Sequence, residues 1–67
     1  MNYSAKNLIR LLEQKGFYFK RANVSHHLFY NAATGKTVIV PVHGNKDLSK
    51  GLFFALLNQA GIDKTNI

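Results

Sequence analysis

The sequence predicts an α+β domain of order α-β-β-β-α, with three antiparallel strands and both helices on one face of the sheet. Two observations carry this. Apolar residues recur at helical spacing near each end of the chain, first at Ala5, Leu8, Ile9 and Leu12, then at Phe53, Leu56, Leu57 and Ala60. Between them lie three short aromatic or β-branched runs, joined by connections too short for a parallel crossover. Two helices with one apolar stripe each must bury those stripes. One face of a small sheet accommodates both and leaves the opposite face open.

The elements follow in order. Ser4 is placed as an N-cap, its side-chain oxygen serving the free amides of the first turn. The first helix is expected over 4–15, with Leu11 widening its apolar stripe and Lys6, Arg10, Glu13 and Gln14 on the other side. Gly16 suits the left-handed residue that stops a helix. Strand one is expected over 17–21, with 22–24 as the connection, and strand two over 26–30. Residues 31–36 form a hairpin loop with a late glycine, and the β-branched run 37–40 is strand three. Pro41 ends that strand because it has no N–H for the ladder. A polar connection spans 42–48. Ser49 caps the second helix, and Gly61 closes it with Ile62 as the accompanying apolar contact. Residues 63–67 are expected to fray.

Sixty-seven residues make one domain with a small core. There is no cysteine, so neither a disulfide nor a thiolate metal site stabilises it, which suits a reducing cytoplasm. No run approaches the roughly 18 apolar residues of a membrane span, and the first residues lack the apolar centre of a signal peptide. Nine Lys and Arg against three acids give a net charge of +6, spread along the chain rather than held in a tail. That balance points to a polyanion, nucleic acid above all, or to an acidic protein partner.

The stretch Val24-Ser25-His26-His27-Leu28-Phe29 is the chemical centre of the sequence. Successive strand residues face opposite sides, so the two histidines diverge. Phe29 is the largest apolar group on its strand and is placed toward the helices, which takes His27 with it. His26, Leu28 and Tyr30 then face the open side. His27 is expected at the edge of the core, hydrogen-bonded to backbone or a serine. An exposed imidazole ordinarily titrates near ~6.5 and exchanges protons at cell pH. His43, beyond Pro41, is either a phosphate contact or a local cap. Three histidines on diverging elements, with Asp47 as the nearby acid, do not converge as zinc ligands must, so neither metal nor cofactor is expected.

The two-layer arrangement resembles double-stranded RNA-binding domains. More specifically, the chain resembles the HicA family of small bacterial toxins, across 1–67 as one domain. The match rests on the helix ending Lys15-Gly16-Phe17, on Ser25-His26-His27 followed by Phe29, on Val40-Pro41-Val42-His43, on Lys46-Asp47-Leu48 with Gly51, and on the ending Gln59-Ala60-Gly61-Ile62. The resemblance implies a metal-independent endoribonuclease that cleaves mRNA in the cytoplasm and is neutralised by a HicB-like antitoxin. It puts the catalytic histidine at His26. It also puts a family glycine at Val24, a residue for which positive φ is uncomfortable.

The remaining candidates are weighed beside it. Lys20, Arg21, Ser25, Lys36, Lys46 and Lys50 are expected as an RNA-binding rim, against an ordinary solvated surface. Tyr18 and Tyr30 offer faces on which unpaired bases stack. Duplex readers carry a lysine cluster before their last helix; only Lys46 and Lys50 stand there, which favours single-stranded RNA. Phe54 falls away from Phe53, Leu56 and Leu57 on the helical wheel and is expected to contact a protein partner. The alternatives are a non-catalytic RNA-binding module of the same shape and a small domain whose basic face binds an acidic protein.

Overall fold

A computed structural model describes residues 2–44 and 46–66; Asn45 of the polar connection and Ile67 of the tail lie outside it. The element order is α1 (Ala5–Gln14), β1 (Tyr18–Asn23), β2 (His26–Asn31), β3 (Lys36–Pro41) and α2 (Lys50–Gln59), followed by a 3₁₀ turn at Lys64–Asn66. The strands form one antiparallel sheet in the order β1-β2-β3.

The two helices are built alike. Ser4 Oγ accepts from the Asn7 amide, and Ser49 Oγ accepts from the Leu52 amide. At the other end Gly16 and Gly61 sit at φ 97° and 78°, the left-handed conformation that glycine tolerates. The Phe17 amide then donates to Leu12 O, and the Gly16 amide to Glu13 O. The Ile62 amide donates to Leu57 O, and the Gly61 amide to Asn58 O. These are paired Schellman closures. Each drives an apolar residue, Phe17 or Ile62, straight into the core.

The core lies between the helices and the sheet. Leu8 and Leu12 of α1, Phe53 and Leu57 of α2, and Phe29, Val38 and Val40 of the sheet are fully or almost fully buried. Both helices pack on β3. β1 is exposed along its length, and Phe19 keeps 51% of its surface accessible. One buried polar group ties the layers together. Asn31 Nδ2 donates to Lys15 O at the end of α1, and Asn31 Oδ1 accepts from the Ala33 amide in the next turn.

Three expectations need correction. β1 runs on to Asn23, which pairs with His26, so the connection is only Val24-Ser25. Cross-strand pairing of Ala22 with His27 and Asn23 with His26 overrides the weak strand preference of these two residues. Second, the tail is not frayed over its described part: the Thr65 amide donates to Asp63 Oδ1 and starts the 3₁₀ turn. That bond holds the Asp63 carboxyl below the usual carboxylate range. Third, Phe54 is half-buried rather than turned away. Tyr3, brought back by the Leu48 amide to Tyr3 O bond, packs edge-on against it at 5.8 Å, and Phe53 lies 5.5 Å away. The segment before α1 was not anticipated as a layer over α2.

Val24 adopts φ 57°. A two-residue hairpin turn with positive φ at its first position alone has the φ pattern of type II′, where glycine is preferred. The left-handed region costs an L-residue roughly 1–2 kcal/mol. Val24 is 94% exposed, so its side chain returns little in packing. Val24→Gly is therefore expected to raise stability by about 1 kcal/mol, which for a domain this size is about 4–8 °C in Tm. A thermal melt checks it; an unchanged or lower Tm would show that the turn is not strained.

Candidate functional site

Strand register places the two histidines on opposite faces. His27 pairs with Val40, which is fully buried, and with Ala22. It lies on the helix side, half-buried, with its ring edge-on to Phe19 at 5.7 Å. The expected hydrogen bond to backbone or serine is not formed among the described residues; aromatic packing takes its place. His26 pairs with Asn23 and Pro41 and is exposed on the open face.

A β-bulge between Phe19 and Arg21 supplies the charge beside it. Phe19 pairs with Phe29 and Arg21 pairs with Leu28, so Lys20 is the extra residue. Strict alternation would send Lys20 and Arg21 to opposite faces. The bulge instead turns both to the open side. Lys20 Nζ stands 5.0 Å above the Tyr30 ring, and Arg21 lines a shallow cleft with Asn23, His26, Leu28 and Ile39. Leu28 and Ile39 pair across the sheet and give this cleft an apolar floor. Tyr18 and Tyr30 pair farther along the same face, their rings edge-on at 5.9 Å. The open face thus carries an imidazole, two cations and two tyrosine rings.

The chain after β3 returns toward His26. The Val42 amide donates to Ser25 O at 2.7 Å, tethering this segment to the turn that precedes His26. His43 follows, and its ring centroid is 6.5 Å from that of His26. The next residues enter a second cleft, where Gly44 and Lys46 face Lys6 and Arg10 of α1. Arg10 is held there by two hydrogen bonds to Asn7 Oδ1, from Nε at 3.2 Å and Nη2 at 2.7 Å. Lys6 and Arg10 were read only as the solvated face of α1. Helical periodicity carries no sign that a loop 32 or more residues away would face them.

The expected cationic rim is only partly assembled. Arg21 is in the His26 cleft, Lys20 is on the same face, and Lys46 is in the neighbouring cleft. Ser25 occupies the turn directly before His26, half-buried. Lys36 is elsewhere. It pairs with Asn31, five positions along β2 from His26, or ~17 Å at the rise of a strand. Its Nζ lies against Gly61 at the end of α2, where a Cβ would meet it at 3.2 Å. Lys50 is exposed at the first position of α2 and is not among the residues lining the His26 cleft. Among the described residues, no three of His, Cys, Asp and Glu are grouped to hold a metal ion.

Comparison with known families finds a match over most of the chain. The family model described as HicA toxin of bacterial toxin-antitoxin matches residues 5–62, from the first residue of α1 to the apolar residue that closes α2. The chain belongs to the HicA toxin family. It is a toxin of the toxin-antitoxin type, and such a toxin has an antitoxin partner. No curated protein matches it in a direct comparison of sequences. The match covers every strand of this HicA toxin and both helices. No described helix of the toxin is long and apolar enough to cross a membrane.

Proposed function

We propose that this HicA toxin is a metal-independent endoribonuclease of the cytoplasm, acting on single-stranded mRNA with His26 as the proton-transfer group. The observation that carries the reading is an exposed imidazole on the uncovered face of the sheet, with Arg21 in the same cleft and the His43 ring 6.5 Å away between centroids. RNA brings its own nucleophile. His26 takes the proton of a ribose 2′-hydroxyl, the oxygen attacks the adjacent phosphorus, and the 5′-oxygen leaves. The products are a 2′,3′-cyclic phosphate and a free 5′-hydroxyl. Arg21 and Lys20 offset the phosphate charge, which grows in the transition state. Tyr18 and Tyr30 give unpaired bases a stacking surface. Ser25 and Lys46 extend the contacts toward the second cleft, while Lys36 and Lys50 sit apart from this track.

The antitoxin in this reading is HicB-like and covers His26 and its cations with acidic groups. Phe54, half-buried between Tyr3 and Lys64, offers an apolar contact on another side of the molecule. Expression of the chain is expected to arrest growth and fragment transcripts, with both effects relieved by the co-expressed antitoxin. Arrest or RNA binding with intact transcripts would point instead to a non-catalytic RNA-binding module.

Phosphate binding by the bulge residues has its own test. Each phosphate neutralised contributes ~0.7 to the slope of log K against log salt for single strands. Arg21→Ala is expected to weaken binding of a short single-stranded RNA and to lower that slope by about one such increment. Fluorescence anisotropy over a salt series measures both. A wild-type slope in the variant would remove Arg21 from the track.

A further inference from the structure

We propose that His43 is a second catalytic residue, the general acid that protonates the leaving 5′-oxygen while His26 acts as general base. The proposal rests on the ribonuclease reading above and adds a residue role to it.

The geometry comes from three facts. The rings of His26 and His43 are 6.5 Å apart between centroids and nearly perpendicular, at 81°. Both residues are exposed, so a substrate can reach both. The Val42 amide to Ser25 O bond, at 2.7 Å, fixes the loop beside the turn that carries His26. A general acid or base must come within ~2.6–3.2 Å of the oxygen it serves. Two such hydrogen bonds, with a phosphate between them, span up to roughly 8 Å. The two rings are therefore too far apart to bond each other, yet close enough to flank one phosphodiester.

Lys20 is turned over the Tyr30 ring, at 5.0 Å, farther along the open face. His27 is turned to the helix side against Val40 and Phe19. Arg21, from β1, presents a guanidinium, a group suited to binding phosphate rather than to donating a proton. Lys46 lines the neighbouring cleft with Lys6 and Arg10 rather than the His26 cleft. No carboxylate lines the His26 cleft, and in the adjoining cleft Glu13 of α1 stands with Lys6 and Arg10. The charged groups around the pair are thus mostly cationic, which suits a phosphate and the dianionic transition state formed from it.

The step balances without a further reagent. The O2′–P bond forms as the 2′-hydroxyl proton passes to His26. The P–O5′ bond breaks as His43 delivers its proton to O5′. The two imidazoles end with exchanged protonation states and are reset by water.

A leaving group that needs no proton separates acid from base. The unaltered toxin, His43→Ala, His43→Gln and His26→Ala are compared on two RNAs of one sequence. One carries the natural 5′-oxygen at a mapped cleavage site, the other a bridging 5′-sulfur, which departs as a thiolate. Circular dichroism establishes that each variant is folded. Loss of a general acid is expected to slow cleavage of the natural RNA by ~10²–10⁴-fold. The sulfur-bridged RNA is expected to be cut by both His43 variants near the unaltered rate, and to resist His26→Ala. Equal losses on the two RNAs for His43 variants would make His43 a binding or structural residue and overturn the proposal. So would wild-type cleavage of the natural RNA. Rescue of His26→Ala instead would reverse the two roles and overturn it as stated. If the unaltered toxin cuts neither RNA, the ribonuclease reading falls, and His43 with it.

Discussion

Replacing His26 with alanine is expected to remove RNA cleavage, a fall of ~10²–10⁴-fold or more, without unfolding the protein. The two halves of that expectation have separate causes. The imidazole lies on the open face, pairs through its backbone with Asn23 and Pro41, and supports no core residue. Surface substitutions of this kind change stability by ~0.5 kcal/mol or less. The chemistry, by contrast, needs a proton acceptor, and His26 is the imidazole that β2 presents on that face. A folded His26→Ala protein that cuts RNA at the unaltered rate would remove His26 from the reaction.

Asn31→Asp is expected to have the largest effect on stability. Asn31 is 5% exposed, and its amide both donates to Lys15 O and accepts from the Ala33 amide. The aspartate keeps the acceptor but loses the donor, faces a carbonyl oxygen with a negative charge, and is buried. Breaking a buried hydrogen bond and leaving a polar group unsatisfied costs about 1–3 kcal/mol, more when the group is charged. A small domain has little stability in reserve, so partial unfolding at 37 °C is expected. The sign of the pH dependence follows. Burial raises the folded pKa of the new carboxyl above its unfolded value of ~3.9, so the protonated form is the better tolerated one. Relative to the unaltered protein, the variant recovers below pH ~4 and loses ground as pH rises through the folded pKa. Chemical denaturation at pH 4 and pH 7 measures this, and equal penalties at the two values would contradict it.

The elements were legible wherever one local rule decided them. Ser4 and Ser49, Gly16 and Gly61, Phe17 and Ile62 mark both helices because capping needs particular residue types at fixed offsets. The opposite facing of His26 and His27 followed from strand period alone. The bulge at Lys20 was not legible, since nothing in Phe19-Lys20-Arg21 distinguishes a bulged strand from a regular one. Yet it is the bulge that puts both cations on one face. The turn at Val24 was read against its residue type: valine takes the left-handed conformation that the resemblance assigns to glycine, because the two flanking strands impose a two-residue connection.

The site was half legible for a related reason. His26 lay in a recognisable motif, but its distance from His43 depends on register. The four-residue turn between β2 and β3 sets His26 opposite Pro41, and His43 then falls two residues beyond. The 31–36 loop read from the sequence is compatible with that pairing; what the sequence does not show is the bond from the Val42 amide to Ser25 O that ties the chain after β3 to the turn before His26. Lys36 and Lys50 were grouped with the other cations on charge alone, and charge does not tell which end of a sheet a residue occupies.

End-group analysis of RNA fragments made in EDTA tests the central claim most directly. The purified toxin is incubated with a defined single-stranded transcript in excess chelator. Attack by the ribose hydroxyl at His26 predicts undiminished cleavage and fragments that end in 2′,3′-cyclic phosphate and begin with 5′-hydroxyl. Fragments with 3′-hydroxyl and 5′-phosphate ends, or cleavage that stops in the chelator, would contradict it.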